Sequence, residues 1–435
     1  MKIQAGWHYL GIVLCVSLVY FLPDPHLLPV RYWAESGLMV LALLGIVATA
    51  WSRVIWQRRL IVLLWLIVIS LAVLSATAIS RQRVAVLQAY ADDPALMAEL
   101  GQHLVVGYDQ LATVRDLARR GLIGGVFVTQ RNAAGKSVEQ LRAELALLQH
   151  ERRLAKLPPL LIATDQEGGP VSRLSPPLAQ QAALSSVLAD NLSAAEIELR
   201  ATHYGAQQGR ALAALGVNTN FSPVVDLKPS TAPGMLDVHT RIAERAIDAD
   251  PQRVALVALA YSRALLAQGV MPTLKHFPGL GRVTTDTHHF NADLNTPLAT
   301  LAAHDWQPFR SVLAQTSAML MVGHVRVNAL DATRPASLSR PVLHDLLRQQ
   351  WGFQGVLISD DLSMAPIYRH GLCRASVEAL NAGMDLLLLS YDWQKYYAVM
   401  NCLQRAANAG QLLNLKQSRQ RLQSLPWRKP TQENL

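Results

Sequence analysis

The 435-residue chain is 51% hydrophobic and carries a formal charge of +9, but no basic run or interleaved aromatic patch concentrates that charge, which argues against nucleic-acid binding. A mean hydropathy of +0.18 is high for a wholly soluble enzyme, and the excess lies at the front of the chain. Beyond residue 80 the cysteines are Cys373 and Cys402; with no C-x-x-C spacing, neither a disulfide framework nor a zinc site is expected.

Trp7–Leu22, Gly37–Trp51 and Leu60–Ile79 are nearly uncharged apolar runs of 16, 15 and 20 residues. About 20 residues cross the hydrocarbon core, so the third suffices alone and the first two need their flanks. Trp7, Tyr9, Tyr20, Tyr32, Trp33, Trp51 and Trp56 lie near the run ends, where interfacial anchors belong. Residues 1–80 are therefore expected to form about three transmembrane helices. Leu14 is too bulky before Cys15 for a lipoprotein processing site. Lys2, Arg53, Arg58 and Arg59 would share one side, and Arg31, Arg81 and Arg83 the other. The positive-inside tendency then leaves the N-terminus in the cytoplasm and the large domain outside.

After a first helix over Tyr90–Gly101, short apolar runs alternate with amphipathic stretches. Strands are expected at His103–Tyr108, Gly124–Thr129, Leu160–Asp165, Thr219–Asp226, Thr273–His276, Ala318–His324, Val356–Asp361 and Met384–Ser390. Helical patterns fall at Ser137–Leu154, Ala194–Leu215, Pro251–Gln268, Arg340–Trp351, Ala375–Gly383 and Gln394–Ala409. Ser137 with Gln140 has the form of a capping box. Eight β/α units over residues 81–412 predict a (β/α)8 TIM-type barrel, followed by a tail at 413–435. An open doubly wound sheet is the alternative, without a Gly-x-Gly-x-x-Gly turn to support it.

Polar residues gather at the strands' C-terminal ends. Strand three ends in Asp165-Gln166-Glu167-Gly168-Gly169 with Arg173 just after, strand four in Asp226, strand five in Lys275-His276, strand six in His324, and strand seven in Ser359-Asp360-Asp361. Burying that much unpaired charge would cost several kcal/mol per ion, so a polar pocket is the better account. Past Lys275-His276, Pro278, Gly279 and Gly281 force a loop that carries Asp286 and His288. A carboxylate two residues from an imidazole can orient it and stabilise its charge for proton transfer. Asp360 follows the apolar Val356-Leu357-Ile358 and is firmly held, as a nucleophile should be. The residues alone lead to a barrel enzyme for a polar substrate, with an Asp nucleophile and an Asp–His acid/base.

These motifs resemble glycoside hydrolase family 3, in particular its single-domain β-N-acetylglucosaminidases of peptidoglycan turnover. The matching segments run in family order over residues 100–395: Asp165 to Gly169 with Arg173, Asn220 to Leu227, Ile242 to Ala246, Lys275 to Gly279, Asp286-Thr287-His288, His324 with Pro335-Ala336-Ser337, and Ser359 to Met364. The resemblance implies a retaining hydrolase with Asp360 as nucleophile, Asp361 as a mere neighbour, and His288 as acid/base held by Asp286. It implies that Asp165, Arg173, Arg245, Lys275 and His276 bind N-acetylglucosamine, with no metal and no cofactor. The implied partner is a carbohydrate from peptidoglycan; the apolar runs of residues 1–80, which soluble members of the family lack, add the bacterial cytoplasmic membrane, with the catalytic domain on its outer side.

The chain departs from the family pattern at Pro170, at Leu280 where histidine is frequent, over His289 to Asp293, and at Ala365-Pro366-Ile367-Tyr368, which lacks the expected acidic–glycine pair. A phosphorylase or β-glucosidase of the same family, or a non-catalytic wall-sugar-binding protein, are the alternatives. A β-glucosidase is disfavoured because the chain ends soon after the eighth strand.

Overall fold

The computed structural model describes residues 10–17, 31–49, 55–189, 192–230, 240–413 and 415–428. The chain forms two compact units, Met1–Gln88 and Ala89–Leu435.

In the first unit, helices cover 10–17, Arg31–Thr49 and Ile55–Ala76. Ile12, Cys15, Leu38, Ala42, Ile61, Trp65 and Val68 form a packed seam between them. A Cβ at Gly45 would come within 2.2 Å of the Trp65 ring, so glycine is what lets that indole lie against the helix. Their outer faces leave Val13, Leu14, Leu43, Leu44, Leu63 and Leu66 exposed. Of the three expected spans, one, over Arg59–Ala76, is long and apolar enough to cross a membrane among the described residues. Half of the Trp7–Leu22 run, with Trp7, Tyr9 and Tyr20, lies outside the described residues, as does Trp51.

The second unit is a closed barrel of eight parallel strands. They are β1 (Leu104–Val106), β2 (Gly125–Phe127), β3 (Leu161–Thr164), β4 (Thr219–Asn220), β5 (Met271–Phe277), β6 (Met319–Val322), β7 (Leu357–Asp361) and β8 (Leu386–Leu389). Each pairs with its neighbours in chain order, and β8 closes on β1, so the open-sheet alternative is excluded. Leu161 and Ala163, Met319 and Met321, and Leu386 and Leu388 point into the barrel at the two-residue period of a strand. Residues between them, such as Ile162, Leu320 and Leu387, are fully buried as well, on the side the helices cover. Strands of a parallel sheet buried on both faces read as the continuous apolar runs seen in the sequence.

Local signals behave as their chemistry dictates. Ser137 Oγ accepts the Gln140 N–H, while Gln140 Oε1 accepts the Ser137 N–H at 2.8 Å, opening the helix Val138–Leu154. Ser193 and Glu196 repeat that arrangement ahead of Ala194–Leu215. Pro341–Gln350 is wound as a π-helix where an ordinary helix was expected. The helix after β7 begins at Ala365, ten residues before its expected start, and is interrupted at Gly371, whose φ of 96° suits glycine.

Two features depart from the sequence reading. The residues after 412 include a helix, Leu415–Gln423, whose Leu422 joins the barrel's core cluster together with Leu425 beyond it. Arg421 pairs at 2.8 Å with the fully buried Asp385, which Arg348 also engages at 2.6 Å. Cys373 and Cys402 form a disulfide across a separation of 29 residues, which corrects the expectation of none. It ties the helix Ala365–Ala382 to Tyr396–Asn408. A search for short cysteine spacings misses a pair that only helix packing brings together.

Candidate active site

The C-terminal end of β5 supplies the anchor. The ladder between β5 and β6 shifts register between Leu274 and Phe277, and Lys275 and His276 both turn toward polar partners there. The Lys275 ammonium lies 2.6 Å from both Asp165 Oδ1 and Glu167 Oε1. Arg245 grips Glu167 in a two-pronged pair, Nε to Oε2 at 2.9 Å and Nη2 to Oε1 at 2.7 Å. Burial pushes the Glu167 carboxyl up, but the Arg245 and Lys275 cations overcome it and hold the group down at about 2. Arg245 is correspondingly held above the ordinary arginine value.

His276 is locked on both ring nitrogens. Nδ1 lies 2.7 Å from Asp226 Oδ2, and Nε2 faces the Arg245 guanidinium at 3.2 Å. Arginine has only donors, so Nε2 accepts and Nδ1 carries the proton toward Asp226. Asp226 also accepts the backbone N–H of His276 and of Leu280, at 3.1 and 2.8 Å. Leu280 therefore serves the site through its backbone while its side chain packs inside, 3% exposed.

Asp286 is fully buried and His288 is half-buried. Asp286 Oδ1 lies 2.9 Å from His288 Nδ1 and accepts the His288 backbone N–H at 2.9 Å and the Thr240 hydroxyl at 3.0 Å. Thr240 also links the two clusters, because its carbonyl accepts Arg245 Nη1 at 2.8 Å.

Asp360 is half-buried at the end of β7. Burial works to raise its carboxyl, but the imidazoles of His276, His324 and His288 and the Asp361 N–H together hold it below the usual carboxylate range. The group is therefore ionised at neutral pH, as a nucleophile requires. His324 Nε2 donates to the Asp361 carbonyl at 3.0 Å, leaving Nδ1 to accept the Ser337 hydroxyl at 2.7 Å. Burial holds the His324 imidazole below its ordinary value.

Of the residues picked out from the sequence, Asp165, Arg245, Lys275 and His276 meet in one network, Asp286 pairs with His288, and Asp360 lies in the electrostatic reach of His276 and His288. Arg173 stands apart: its backbone N–H donates to the Asp165 carbonyl at 3.0 Å, and its exposed side chain has no ion pair among the described residues. Glu167, Asp226 and Thr240 escaped the sequence selection. Glu167 and Asp226 stand among the strand-end acids of the sequence without a role of their own there, and Thr240 carries no local signal. Among the described residues, no cluster of His, Cys, Asp or Glu could hold a metal ion. A cavity of about 960 Å³ at the opposite end of the barrel, lined by Met271, Met319, Val356 and Leu425, contains none of these groups.

Residues 95–425 match the family model described as the glycosyl hydrolase family 3 N terminal domain. The chain is 36% identical over 290 residues to a beta-hexosaminidase of Xanthomonas oryzae pv. oryzae, covering 66% of this chain and 82% of the relative. It is 34% identical over 330 residues to beta-hexosaminidase LpqI of Mycobacterium tuberculosis, covering 73% and 80%. Among solved structures, it resembles a glycoside hydrolase family 3 beta-N-acetylglucosaminidase from a Paenibacillus species, with a TM-score of 0.69 and 29% identity over 77% of this chain and 62% of that one. For the M. tuberculosis LpqI structure the TM-score is 0.66 and the identity 30%, over 78% and 94%.

Proposed function

The chain belongs to glycosyl hydrolase family 3 and is a glycoside hydrolase of the β-N-acetylhexosaminidase type, and from that premise we propose that it removes terminal N-acetylglucosamine in two steps through a covalent bond to Asp360. In the first step an Asp360 oxygen attacks the anomeric carbon, the glycosidic C–O bond breaks, and His288 gives a proton to the departing oxygen. With Nδ1 held by Asp286, proton exchange falls to Nε2. In the second step His288 takes a proton from water, which attacks the same carbon and frees Asp360. Two inversions leave the product with the configuration of the substrate. Asp165, Arg173, Arg245, Lys275 and His276 are assigned to the sugar. Their carboxylates and fixed donors suit its hydroxyl and acetamido groups.

The observation that carries this reading is the pairing of opposites at one barrel end. Asp360 is held ionised by its imidazole neighbours, and the other acid, Asp286, is committed to orienting His288. Mass spectrometry after incubation with a fluorinated β-N-acetylglucosaminide that stalls deglycosylation tests it. The adduct is expected on the peptide carrying Asp360, and a product of inverted configuration would sink the mechanism.

We place the enzyme at the outer side of the cytoplasmic membrane, acting on peptidoglycan-derived sugars. The apolar helix over Arg59–Ala76 and the exposed Val13, Leu43, Leu44, Leu63 and Leu66 support anchoring, because such a surface is costly in water. The Cys373–Cys402 disulfide supports an oxidising compartment for the barrel. Protease access to the barrel in intact against opened cells decides the orientation.

A further inference from the structure

A threonine hydroxyl has one proton to give and two lone pairs to receive with. At Thr240 that oxygen lies against three consecutive residues of the loop that carries the acid/base. It is 3.0 Å from Asp286 Oδ1, 3.3 Å from the Thr287 backbone nitrogen and 3.5 Å from His288 Nδ1. A carboxylate has nothing to donate, so the hydroxyl proton goes to Asp286 and a lone pair receives the Thr287 N–H. Asp286 Oδ1 also accepts the ring and backbone N–H groups of His288, each at 2.9 Å. Both of those donors belong to the loop and travel with it. Thr240 reaches in from outside. Thr240, Asp286 and Thr287 are all buried, so solvent has no access to replace the hydroxyl.

The backbone of the same residue serves the other cluster. The Thr240 carbonyl accepts Arg245 Nη1 at 2.8 Å, and Arg245 in turn grips Glu167 and faces His276 Nε2. A sharp turn makes this return possible. Arg241 lies in the left-handed region, at φ 45° and ψ 38°, just before the short helix Ile242–Arg245. A residue with a side chain adopts that conformation at a cost and keeps it where its surroundings fix it. The Arg241–Glu244 pair, Nε to Oε1 at 2.9 Å, closes the turn on its exposed side, and the bond from Arg245 closes it on the buried side. Thr240 is therefore pinned between groups with different tasks, with Arg245 assigned to the sugar and the Asp286–His288 pair to the proton.

We propose that Thr240 is a positioning residue for the acid/base, anchoring the Asp286–His288 pair through its hydroxyl to backbone that Arg245 holds beside the sugar cluster. The inference rests on the reading of His288 as the acid/base of a hexosaminidase. Thr240 touches no reacting atom and acts through the place it gives the imidazole. Without the hydroxyl the pair stays bonded to itself, but its carboxylate loses a tie to the scaffold. His288 Nε2 is then no longer set at one distance from the departing oxygen, and proton transfer is sensitive to such misplacement.

The test uses the full-length protein with Thr240→Val, which keeps the shape and removes the hydroxyl, and Thr240→Ser, which keeps the hydroxyl. Two substrates carry N-acetylglucosamine β-linked to a simple alcohol and to an activated aryl group. Both are compared by kcat/KM, which reports the first step alone. On the alkyl glycoside, whose departing oxygen needs the proton, Thr240→Val should lose about 10–100-fold. On the aryl glycoside it should stay within about threefold of wild type, and Thr240→Ser should stay within about threefold on both. Each alkyl-to-aryl ratio is internal to one preparation, so partial unfolding of a variant cancels. In His288→Ala, which has no ring left to position, adding Thr240→Val should change the alkyl rate by less than about twofold. A Thr240→Val loss that is equal on the two glycosides, a loss as large in Thr240→Ser, or a loss that multiplies undiminished onto His288→Ala overturns the proposal. Wild type that cleaves neither glycoside would sink the hexosaminidase reading, and this role with it.

Discussion

Asp360 and Asp361 are neighbours in the chain with opposite surroundings. The two oxygens of Asp361 accept five hydrogen bonds, from the N–H and hydroxyl of Ser363, the N–H and hydroxyl of Ser390 and the N–H of Tyr391. Asp360 accepts the Asp361 N–H at 2.8 Å and otherwise faces the imidazoles. A carboxylate saturated by donors is a poor attacker and a good strut. One that is ionised and open on one side is suited to attack. The two substitutions should therefore separate chemistry from stability. Asp360→Ala is expected to lose about four orders of magnitude or more in kcat on an aryl β-N-acetylglucosaminide with little change in melting temperature. Asp361→Ala should melt earlier, by about 2–4 kcal/mol of stability, because it strands buried donors. Similar activity for Asp360→Ala and wild type would remove Asp360 as nucleophile.

The Asp286–His288 pair predicts a dependence on the leaving group. Poor leaving groups need the proton and activated aryl groups do not, so His288→Ala should lose about 10²–10⁴ in rate on an alkyl or sugar glycoside and far less on an aryl one. Asp286→Asn should follow the same pattern, since its Oδ1 holds the ring through Nδ1 and the backbone N–H. Equal losses across leaving groups would contradict the role given to His288.

Acid sensitivity follows from Glu167. Its folded carboxyl, at about 2, lies below the ordinary glutamate value of 4.5, so its pairs with Arg245 and Lys275 stabilise the fold above about pH 4.5 and that contribution fades as pH falls through about 2. The gap between the two values corresponds to roughly 3 kcal/mol. Glu167→Gln should be destabilised at pH 7, and its deficit relative to wild type should roughly halve by pH 3. Denaturant titrations across that range measure it; a deficit independent of pH would show that Glu167 contributes by packing alone.

What the sequence made legible is what repeats. The eight barrel strands announce themselves as apolar runs ending in polar residues, and seven of the eight site residues chosen from those ends, the following loops and, for Arg245, the family resemblance lie in or against one charged network. The Glu167–Arg245 pair joins residues 78 apart, and nothing local distinguishes Glu167 from Asp165 two positions earlier. The same limit hid the disulfide and the packing of Leu422 and Leu425 into the barrel core. Each depends on where closure of the barrel brings distant segments, which no local period encodes.

That disulfide carries its own prediction. Cross-linking across 29 residues removes unfolded-state entropy worth about 3–4 kcal/mol. The linked helix Ala365–Ala382 also supplies Arg369 and His370 beside the site. Reduction, or the paired change Cys373→Ser and Cys402→Ser, should lower the unfolding free energy by that amount and the midpoint with it. An unchanged midpoint under reducing conditions would mean the link contributes nothing.

The anchoring reading is tested by cutting the chain between its two compact units. Residues 89–435 contain the whole barrel, the disulfide and every candidate site residue, so a fragment starting at Ala89 should fold, stay in solution without detergent and keep aryl-glycosidase activity within about threefold. Full-length protein should partition with membranes and need detergent for release, because Leu43, Leu44, Leu63 and Leu66 turn outward where water would otherwise meet them. Charged substitutions separate anchoring from folding: Leu63→Asp and Leu66→Asp lie on the exposed face of the helix Ile55–Ala76, whereas Val68→Asp lies in the packed seam. On a lipid-facing surface each outward change should weaken membrane retention at a cost of about 2.5–3.5 kcal/mol, while in a soluble bundle it should improve solubility. Full-length protein that remains in the supernatant without detergent, unaffected by the outward pair, would overturn the anchoring.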